Sequence, residues 1–298
     1  MDFDNDLIGD FVIVKSNGFP TYNFAAPVDD ALMNISHVLR AEEHLPNTPS
    51  QLMVLDALRL ERPRAYGHLP QILGKDRAKL SKRRHPEARL SLYREQGYLP
   101  EALINYMALL GWNPGTEQEI FDLPQLVQVF DLARVQKAGA IFDQQKLDWL
   151  NGHYIRALTV EALAQRLQPF LPELDEATIL RAAPALQERM SRLDDARALL
   201  SYLWTEPESV SLEPDASERV RAALPALEAA EWTPIPIEAA LEQVREERGW
   251  SKNQLFKPIR LAVTGRNISP PIDATLALLP KEVALRRLAA AASAPSPA

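Results

Sequence analysis

The stretch Gly74-Lys75-Asp76-Arg77-Ala78-Lys79-Leu80-Ser81-Lys82-Arg83 divides the chain into two parts of different character. Before it, apolar residues alternate with polar ones or form short runs, which is typical of strands. After it, leucine, alanine, glutamine and glutamate dominate, and apolar residues recur at spacings of three and four, which is typical of helices. We therefore predict a mainly α-helical chain with an α/β segment at its N-terminal end.

The same stretch is suited to hold a polyphosphate. Lys79 and Lys82 lie three residues apart and flank a serine, so two ammonium groups can approach one triphosphate. There they would neutralise the charge that develops as a phosphate leaving group departs. A short basic segment is also common on solvated surfaces, and from the local pattern alone this alternative stays open.

The basic charge of the chain is concentrated around this stretch. The whole chain has a net charge of −7, whereas residues 75 to 89 hold seven basic and two acidic residues, a net +5, which leaves −12 elsewhere. A focused basic region directs a polyanion such as RNA to one face and repels it from the rest. The alternative is an ordinary run of solvated charges.

Composition excludes several classes of protein. With 46% hydrophobic residues the core can be large, and the length suggests about two domains. No apolar stretch approaches the roughly 20 residues of a membrane span, and acidic residues stand where a signal peptide would begin. We therefore expect a cytoplasmic protein with no membrane partner. The chain has no cysteine and its histidines show no ligand spacing, so we expect no protein-bound structural metal.

Local signals predict several elements before the lysine stretch. Asn17-Gly18 is a strong hairpin signal, which predicts two paired strands between Asp10 and Phe24. Thr48-Pro49 supplies a cap and a first-turn proline for a helix through about Leu60. The apolar run from His68 to Leu73 predicts a strand.

Two helix boundaries after the lysine stretch also carry clear signals. Pro100 is expected to begin a helix that Gly111 ends. Ser251 and Gln254 have the spacing of a capping box, and Pro258 is expected to kink or restart the helix that follows.

Sequence motifs on both sides of the lysine stretch occur in a fixed order. Those before it are Thr21-Tyr22-Asn23-Phe24-Ala25, Val28-Asp29-Asp30, His37-Val38-Leu39-Arg40-Ala41-Glu42-Glu43-His44-Leu45 and Asn47-Thr48-Pro49. Those after it are Tyr98-Leu99-Pro100-Glu101-Ala102-Leu103-Ile104-Asn105-Tyr106, Leu109-Leu110-Gly111-Trp112, Phe142-Asp143, Lys146-Leu147-Asp148-Trp149-Leu150-Asn151, Leu261-Ala262-Val263-Thr264-Gly265 and Ser269-Pro270-Pro271. Together they closely resemble bacterial-type glutamyl-tRNA synthetase, a class I enzyme, and Lys79 to Arg83 looks like its KMSKS loop.

The resemblance implies a domain order. Residues 1–85 would form the second half of a class I Rossmann-like catalytic domain with the KMSKS-type loop. Residues 86–155 would form a helical stem-contact connector, and residues 156–290 an all-helical anticodon-binding domain. This last part separates bacterial glutamyl enzymes from glutaminyl enzymes, whose anticodon part is built of β-barrels. Residues 291–298, rich in alanine, serine and proline, are expected to be a disordered tail.

One part of the family pattern is missing from the sequence. Class I synthetases carry a HIGH-type histidine motif in the first half of the catalytic domain, where it holds ATP opposite the lysine loop. The chain has five histidines, and none stands in a His-x-Gly-His context. We therefore expect that the chain lacks the N-terminal half of a synthetase and that this half is one of its partners.

The resemblance also implies individual site residues. Lys79 and Lys82 would be catalytic and would bind ATP, and His44 lies where the family places a residue beside the adenine or ribose. Tyr22 and Arg40 would line the glutamate pocket, a role that suits Arg40 because a guanidinium holds a carboxylate with two parallel hydrogen bonds.

Each of these roles has a structural alternative. On spacing alone, the residues favour a salt bridge of Arg40 with Glu42 or Glu43. They allow Tyr22 to pack across two strands and His44 to be a surface or cap residue.

A single arginine is implied in tRNA recognition. Arg189 aligns with a family arginine near the third anticodon base, where its planar fork can read a base edge. The alternative is an exposed arginine that pairs with neighbouring acids on a helix face.

The resemblance implies the function of a glutamate–tRNA ligase. Such an enzyme activates glutamate with ATP and transfers it to tRNA(Glu), and Mg²⁺ accompanies ATP as part of the substrate. The alternative is a non-catalytic tRNA-binding fragment or one subunit of a split enzyme. Because the histidine motif is missing, we expect no adenylation by the 298 residues alone.

Overall fold

The computed structural model describes Phe3 and residues 8–80, 89–207 and 210–294. The chain divides into two compact units, one formed by Met1–Ala88 and Ile104–Gln144 and the other by Arg89–Leu103 and Gln145–Ala298. The boundaries predicted after residues 85 and 155 divide the chain by the role of each part, whereas these two units are defined by their internal contacts. The predicted boundaries therefore stay predictions.

The described residues form fourteen α-helices and four strands. In chain order these are α1 (Tyr22–Leu32), β1 (His37–Ala41), α2 (Thr48–Leu58), β2 (Ala65–Leu69), β3 (Ile72–Leu73), α3 (Leu90–Glu95), α4 (Pro100–Gly111), α5 (Leu123–Val129), β4 (Ala140–Ile141), α6 (Gln144–Ala157), α7 (Val160–Leu167), α8 (Glu176–Gln187), α9 (Asp195–Leu200), α10 (Pro214–Ala229), α11 (Pro234–Glu247), α12 (Lys252–Thr264), α13 (Ile272–Ala277) and α14 (Lys281–Ser293). Short 3₁₀ helices cover Glu42–Asn47, Leu132–Arg134, Gln168–Phe170 and Ser201–Leu203. The predicted mainly helical fold with an α/β N-terminal part is confirmed.

The first unit is built around parallel strand pairs. Strand β1 pairs in parallel with β2, with His37 opposite Ala65 and Arg40 opposite His68. Parallel strands need a crossover connection, and α2 supplies it. Strand β3 pairs in parallel with β4, with Ile72 opposite Ala140. The predicted strand from His68 to Leu73 is therefore two short strands, β2 and β3.

The hairpin predicted between Asp10 and Phe24 is much shorter than expected, and backbone hydrogen bonds join the Lys15 amide to the Phe19 carbonyl and the Thr21 amide to the Ile13 carbonyl, both at 2.8 Å. A tight turn does form at Gly18, whose φ is +83°, but only one antiparallel bridge, Val14 to Pro20, accompanies it in the described residues. Helix α1 begins at Tyr22, directly after its N-cap Thr21. The Thr21 carbonyl accepts from the Ala25 amide, so this backbone follows the helical rather than the strand period.

Helix α2 begins as predicted, with a shift of one residue. Asn47 is the N-cap, Pro49 stands in the first turn, and the helix ends at Leu58 before Arg59, which has a left-handed backbone with φ of +55°. The side chain of Thr48 is therefore not used as a cap. It points instead to the cluster described below.

The second unit is helical and has an apolar core. Its fully buried positions include Leu163 on α7, Leu186 on α8 and Leu241 on α11. The core also includes Leu99 and Ala102 at the start of α4, which is the helix predicted from Pro100 to Gly111. The core of this unit thus extends beyond the residues 156–290 assigned to anticodon binding.

The expectations about the last helices of the second unit are partly confirmed. The capping box of Ser251 and Gln254 is present. Helix α12 runs on through the buried Pro258 without restarting, so a kink at Pro258 stays a prediction. Helix α14 continues to Ser293, so the tail expected to be disordered from residue 291 begins within a helix.

Within the described ranges, no helix has both the length and the apolar character needed to cross a membrane.

Candidate functional site

The polar side chains of the first unit gather around Arg40, next to the carboxyl end of β1. This cluster, which we call the Arg40 cluster, draws on three helical segments and two strands. Its members are Tyr22 on α1, Arg40 on β1, His44 in the 3₁₀ helix, Thr48 and Gln51 on α2, and His68 on β2. Ligands of open α/β sheets bind outside the carboxyl ends of the strands, so this is a suitable place for a binding site.

The guanidinium of Arg40 is held by neutral groups. Its Nη1 donates to Gln51 Oε1 at 2.7 Å and its Nη2 to Thr48 Oγ1 at 2.7 Å. Its Nε donates to His68 Nε2 at 3.2 Å. These contacts fix the plane of the guanidinium, and the Arg40 charge also acts on the Asp30 carboxyl of α1, whose pKa it lowers against the larger effect of burial.

Glu42 and Glu43, the two acidic residues considered above as ion-pair partners of Arg40, bind other groups. Glu42 Oε1 accepts from the Gln71 amide at 3.3 Å, and Glu43 accepts from the ammonium of Lys79. Among the described residues, Arg40 forms no ion pair. An arginine with a fixed plane and no carboxylate partner is suited to receive the carboxylate of a ligand.

Thr48, Gln51 and His68 were missed by reasoning from the sequence. Thr48 and Gln51 are only 5% and 2% exposed, and buried polar groups of this kind are hydrogen-bonded. Gln51 shares the inward face of α2 with the buried Val54 and Leu55, so a glutamine at that position was an available signal. His68 could be found only from the register of β1 and β2.

Tyr22 and His44 lie on the open side of the Arg40 cluster. The Tyr22 hydroxyl is 3.5 Å from Arg40 Nη1. The rings of Tyr22 and His44 are inclined at 47° with centroids 5.3 Å apart, and Tyr22 is 48% exposed. The structure thus brings Tyr22, Arg40 and His44 together. Tyr22 lies on a helix, so the alternative role of packing across two strands does not apply.

The lysine stretch turns back on β3. The Gly74 amide donates to the Ala78 carbonyl at 2.9 Å, and the Leu80 amide donates to the Ile72 carbonyl at 2.9 Å. Arg77 takes a left-handed backbone with φ of +61° at the turn. This geometry places Lys79 in an isolated antiparallel bridge with Leu73.

Lys79 reaches the 3₁₀ helix that carries His44. Its ammonium forms an exposed ion pair with Glu43, and this hydrogen bond, together with the lysine charge, lowers the pKa of the Glu43 carboxyl. Lys79 is therefore near the nucleotide position inferred for His44. Lys82 falls within residues 81–88 and lies outside the described residues.

Arg189 lies in the second unit, just after α8. It is exposed, and its amide donates to the Leu186 carbonyl at 2.8 Å. In the part of the chain that the structure describes, its side chain has no ion pair, so the alternative of pairing with nearby acids is not seen. Burial and, secondly, the charge of Arg189 lower the pKa of Arg260, whose Nε donates to Ser269 Oγ at 3.0 Å. Two arginines are therefore neighbours on this unit.

Comparisons with known proteins match both parts of the chain. Residues 1–149 match the family model described as tRNA synthetases class I (E and Q), catalytic domain, and residues 162–292 match that of the anticodon binding domain. The glutamate–tRNA ligase of Acidothermus cellulolyticus is 44% identical over 95% of this chain and 60% of its own length. That of Moorella thermoacetica is 42% identical over 97% of this chain and 63% of its own length.

A solved structure has the same fold. The glutamate tRNA ligase of Elizabethkingia meningosepticum, crystallised with its amino acid, matches 96% of this chain and 62% of its own with a TM-score of 0.82 and 28% identity. The chain spans about three fifths of the length of the curated relatives it matches. A catalytic part followed by a helical anticodon-binding part is thus confirmed, and the chain belongs to the class I (E and Q) family of tRNA synthetases.

Proposed function

We propose that these 298 residues supply the second half of the catalytic domain and the anticodon-binding domain of a glutamate–tRNA ligase. The observation that carries the proposal is the Arg40 guanidinium, which neutral partners hold in place beside Tyr22 and His44 and which forms no ion pair with any residue that the structure describes. In a chain of this family, that arrangement favours an amino-acid substrate that carries carboxylates.

The proposed reaction has two steps. A carboxylate oxygen of glutamate attacks the α-phosphorus of ATP, the bond to the β,γ-phosphates breaks, and glutamyl adenylate and pyrophosphate form. A hydroxyl of the terminal ribose of tRNA then attacks the adenylate carbonyl, which gives the ester and releases AMP. Arg40 and Tyr22 hold glutamate in place for the first step, and His44 lies beside the nucleotide.

Lys79 and Lys82 act on the departing pyrophosphate. Their ammonium groups stabilise the negative charge that grows on it, while Mg²⁺ enters bound to ATP rather than in a protein cage. The ion pair of Lys79 with Glu43 is exposed and contributes little to stability, so Lys79 can exchange that carboxylate for a phosphate. No protein-bound structural metal takes part in this scheme.

The second unit would recognise tRNA(Glu). In this proposal residues 156–290 bind the anticodon, residues 86–155 contact the stem, and Arg189 reads the third anticodon base through a base edge. The exposed side chain of Arg189 and the neighbouring Arg260 support a contact with RNA, which is a polyanion. The reaction is assigned to the cytoplasm.

A partner that carries the histidine motif would complete the catalytic domain. Val12, Phe19 and Met33 of the first unit are 65%, 67% and 71% exposed, and such a partner would cover apolar side chains of this kind. The alternative is a chain that binds tRNA without catalysis, which the missing histidine motif favours for the isolated chain.

ATP–pyrophosphate exchange tests the proposal. The 298-residue chain is assayed with glutamate and tRNA, alone and after fusion to the N-terminal part of the Acidothermus cellulolyticus relative. We expect no exchange by the chain alone and glutamate-dependent exchange by the fusion. In the fusion, Arg40→Gln should abolish exchange, whereas Arg94→Gln, at an exposed position on α3, should not. Binding of tRNA without exchange by the fusion would favour the non-catalytic alternative.

A further inference from the structure

His68 stands where it can set the direction of the Arg40 side chain. The two residues face each other in the register of β1 and β2, and Arg40 Nε donates to His68 Nε2 at 3.2 Å. Thr48 joins them, since its Oγ1 is 2.7 Å from Arg40 Nη2 and 3.4 Å from His68 Nε2. The three side chains therefore form a closed set of contacts.

This contact requires a particular form of the imidazole. Nε2 can accept from Arg40 only when it carries no proton, so the neutral ring must hold its proton on Nδ1. Burial and then the positive charges of Arg40 and His44 lower the pKa of His68. The ring is thus neutral at neutral pH, and the contact with Arg40 is intact there.

Two N–H donors of Arg40 remain after its contacts with Gln51, Thr48 and His68. Arginine has five N–H donors, and the contacts with Gln51, Thr48 and His68 use one each on Nη1, Nη2 and Nε. A second donor on Nη1 faces the Tyr22 hydroxyl at 3.5 Å. The contact of Nε with His68 thus adds a third fixed point to those that Gln51 and Thr48 give the two Nη groups, and together they set the direction of the guanidinium.

We propose that His68 is a positioning residue, which accepts the Nε proton of Arg40 and thereby directs the two Nη groups of Arg40 toward the carboxylate of the substrate. The assignment of glutamate as that substrate rests on the proposed function, whereas the contact of His68 with Arg40 does not.

Protonation of His68 should release Arg40. A charged imidazole has two donors and no acceptor, so it repels the guanidinium instead of binding it. Other groups facing this region are His44 in the 3₁₀ helix, Tyr66 on β2 and Asp30 on α1, besides Arg40 itself. Burial raises the pKa of Tyr66 above its ordinary value of 10.0, so Tyr66 does not titrate near neutral pH. Repeating the pH titration with the Asp30→Asn and His44→Gln variants distinguishes protonation of Asp30 or His44 from protonation of His68.

Nuclear magnetic resonance of the 298-residue chain tests the contact directly. With ¹⁵N-labelled histidine and arginine, His68 and Arg40 are identified by the loss of their signals in His68→Gln and Arg40→Lys. We expect a neutral His68 with its proton on Nδ1 and a slowly exchanging Arg40 Nε proton at neutral pH. Both signals should change together as the pH falls below about 6.5, the ordinary value for histidine. A His68 that is charged at neutral pH, or protonated on Nε2, would overturn the proposal.

Three variants separate positioning from folding. In His68→Leu the Arg40 Nε proton should exchange rapidly, whereas in His68→Gln, which keeps an acceptor, it should stay protected at all pH values tested. His37→Leu changes an exposed histidine on the same strand and should leave the Arg40 signal unchanged. Thermal unfolding of each variant checks that the first unit is folded. Equal protection of the Arg40 proton in His68→Leu and in the unsubstituted chain would refute positioning.

A titration with glutamate measures the consequence for binding. At neutral pH, His68→Leu should weaken binding about tenfold, as for the loss of one hydrogen bond to a charged group, and His68→Gln should restore it to within about twofold. Equal binding by all three chains contradicts the proposal. If none of them binds glutamate while the Arg40 signals behave as expected, the glutamate assignment fails and the positioning by His68 stands.

Discussion

The two compact units use their buried polar side chains differently. In the first, the buried Thr48 and Gln51 accept hydrogen bonds from a charged side chain, that of Arg40. In the second, the fully buried Asn151 accepts from the Leu99 amide at 2.8 Å, and the fully buried Thr275 donates to the Pro270 carbonyl at 3.1 Å, so both bind the backbone. The difference teaches that buried polar groups fix the direction of one charged side chain in the first unit, whereas in the second they join backbone segments around an apolar core.

We expect the largest effect from a substitution of Lys82, which should lower catalysis and leave tRNA binding unchanged. In the fusion that restores the catalytic domain, Lys82→Ala should lower ATP–pyrophosphate exchange by about 10² to 10³-fold, as for removal of one preorganised group that stabilises developing charge. Binding of tRNA should change little. Lys75→Ala, in the same basic stretch, is the matched control and should retain exchange. Near-normal exchange with Lys82→Ala would mean that the lysine stretch is ordinary solvated surface and takes no part in catalysis.

A substitution in the apolar core of the second unit tests how much this core stabilises that unit. Leu186 and Leu180 both lie on α8, but Leu186 is 0% exposed and Leu180 is 40% exposed. Leu186→Ala should lower the free energy of unfolding of the second unit by about 3 kcal/mol, because it removes buried methyl groups and leaves a cavity. Leu180→Ala should cost far less. Urea unfolding followed by circular dichroism measures both, and equal losses would mean that the core is not centred on Leu186.

Recognition of tRNA should depend on the surface of the second unit rather than on its core. Arg189→Ala should weaken binding of the cognate tRNA by about 1 to 3 kcal/mol and reduce the difference between tRNAs whose anticodons end in C or G. Arg181→Ala, an exposed arginine on α8, serves as the control. Parallel titrations decide the role of Arg189. An equal loss for both tRNAs would indicate a phosphate contact, and no loss would leave Arg189 as a solvated surface residue.

The smallest effect concerns Arg287, a buried arginine of the second unit. Arg287 is 7% exposed, and its Nη2 donates to Glu206 Oε2 at 3.0 Å, which lowers the pKa of the Glu206 carboxyl. A carboxyl with a lower pKa in the folded state stabilises the fold fully above its unfolded-state value. That contribution is lost as the pH falls through the lower folded-state value.

Glu206 itself is largely exposed, so solvent screening keeps its contribution below about 1 kcal/mol. Glu206→Gln should remove the part of the acid-induced loss of stability that begins near pH 4.5, the ordinary value for glutamate. Urea unfolding between neutral and acidic pH measures this, with Glu213→Gln as the control. Identical pH profiles for the unsubstituted chain and Glu206→Gln would show that Arg287 does not need the carboxylate.

The sequence by itself determined the features that depend on nearby residues. The helix from Pro100 to Gly111 and the capping box of Ser251 and Gln254 follow from proline, glycine and side-chain caps, which act within one turn. The family follows from ordered motifs. The candidate residues Tyr22, Arg40 and His44 came from the same motifs, and the structure brings these three together.

Only the tertiary structure decided which groups surround Arg40. His68 meets Arg40 through the register of two strands separated by a helix. Gln51 and Thr48 reach Arg40 from α2, which packs against α1 and the 3₁₀ helix Glu42–Asn47. Such contacts depend on non-local packing, which no local pattern encodes. The same reason explains the error at Phe24, where a helix replaces a predicted strand, and the continuation of α12 through the buried Pro258. Local signals thus determined most helices and strands, whereas packing between distant segments determined which groups surround the Arg40 guanidinium.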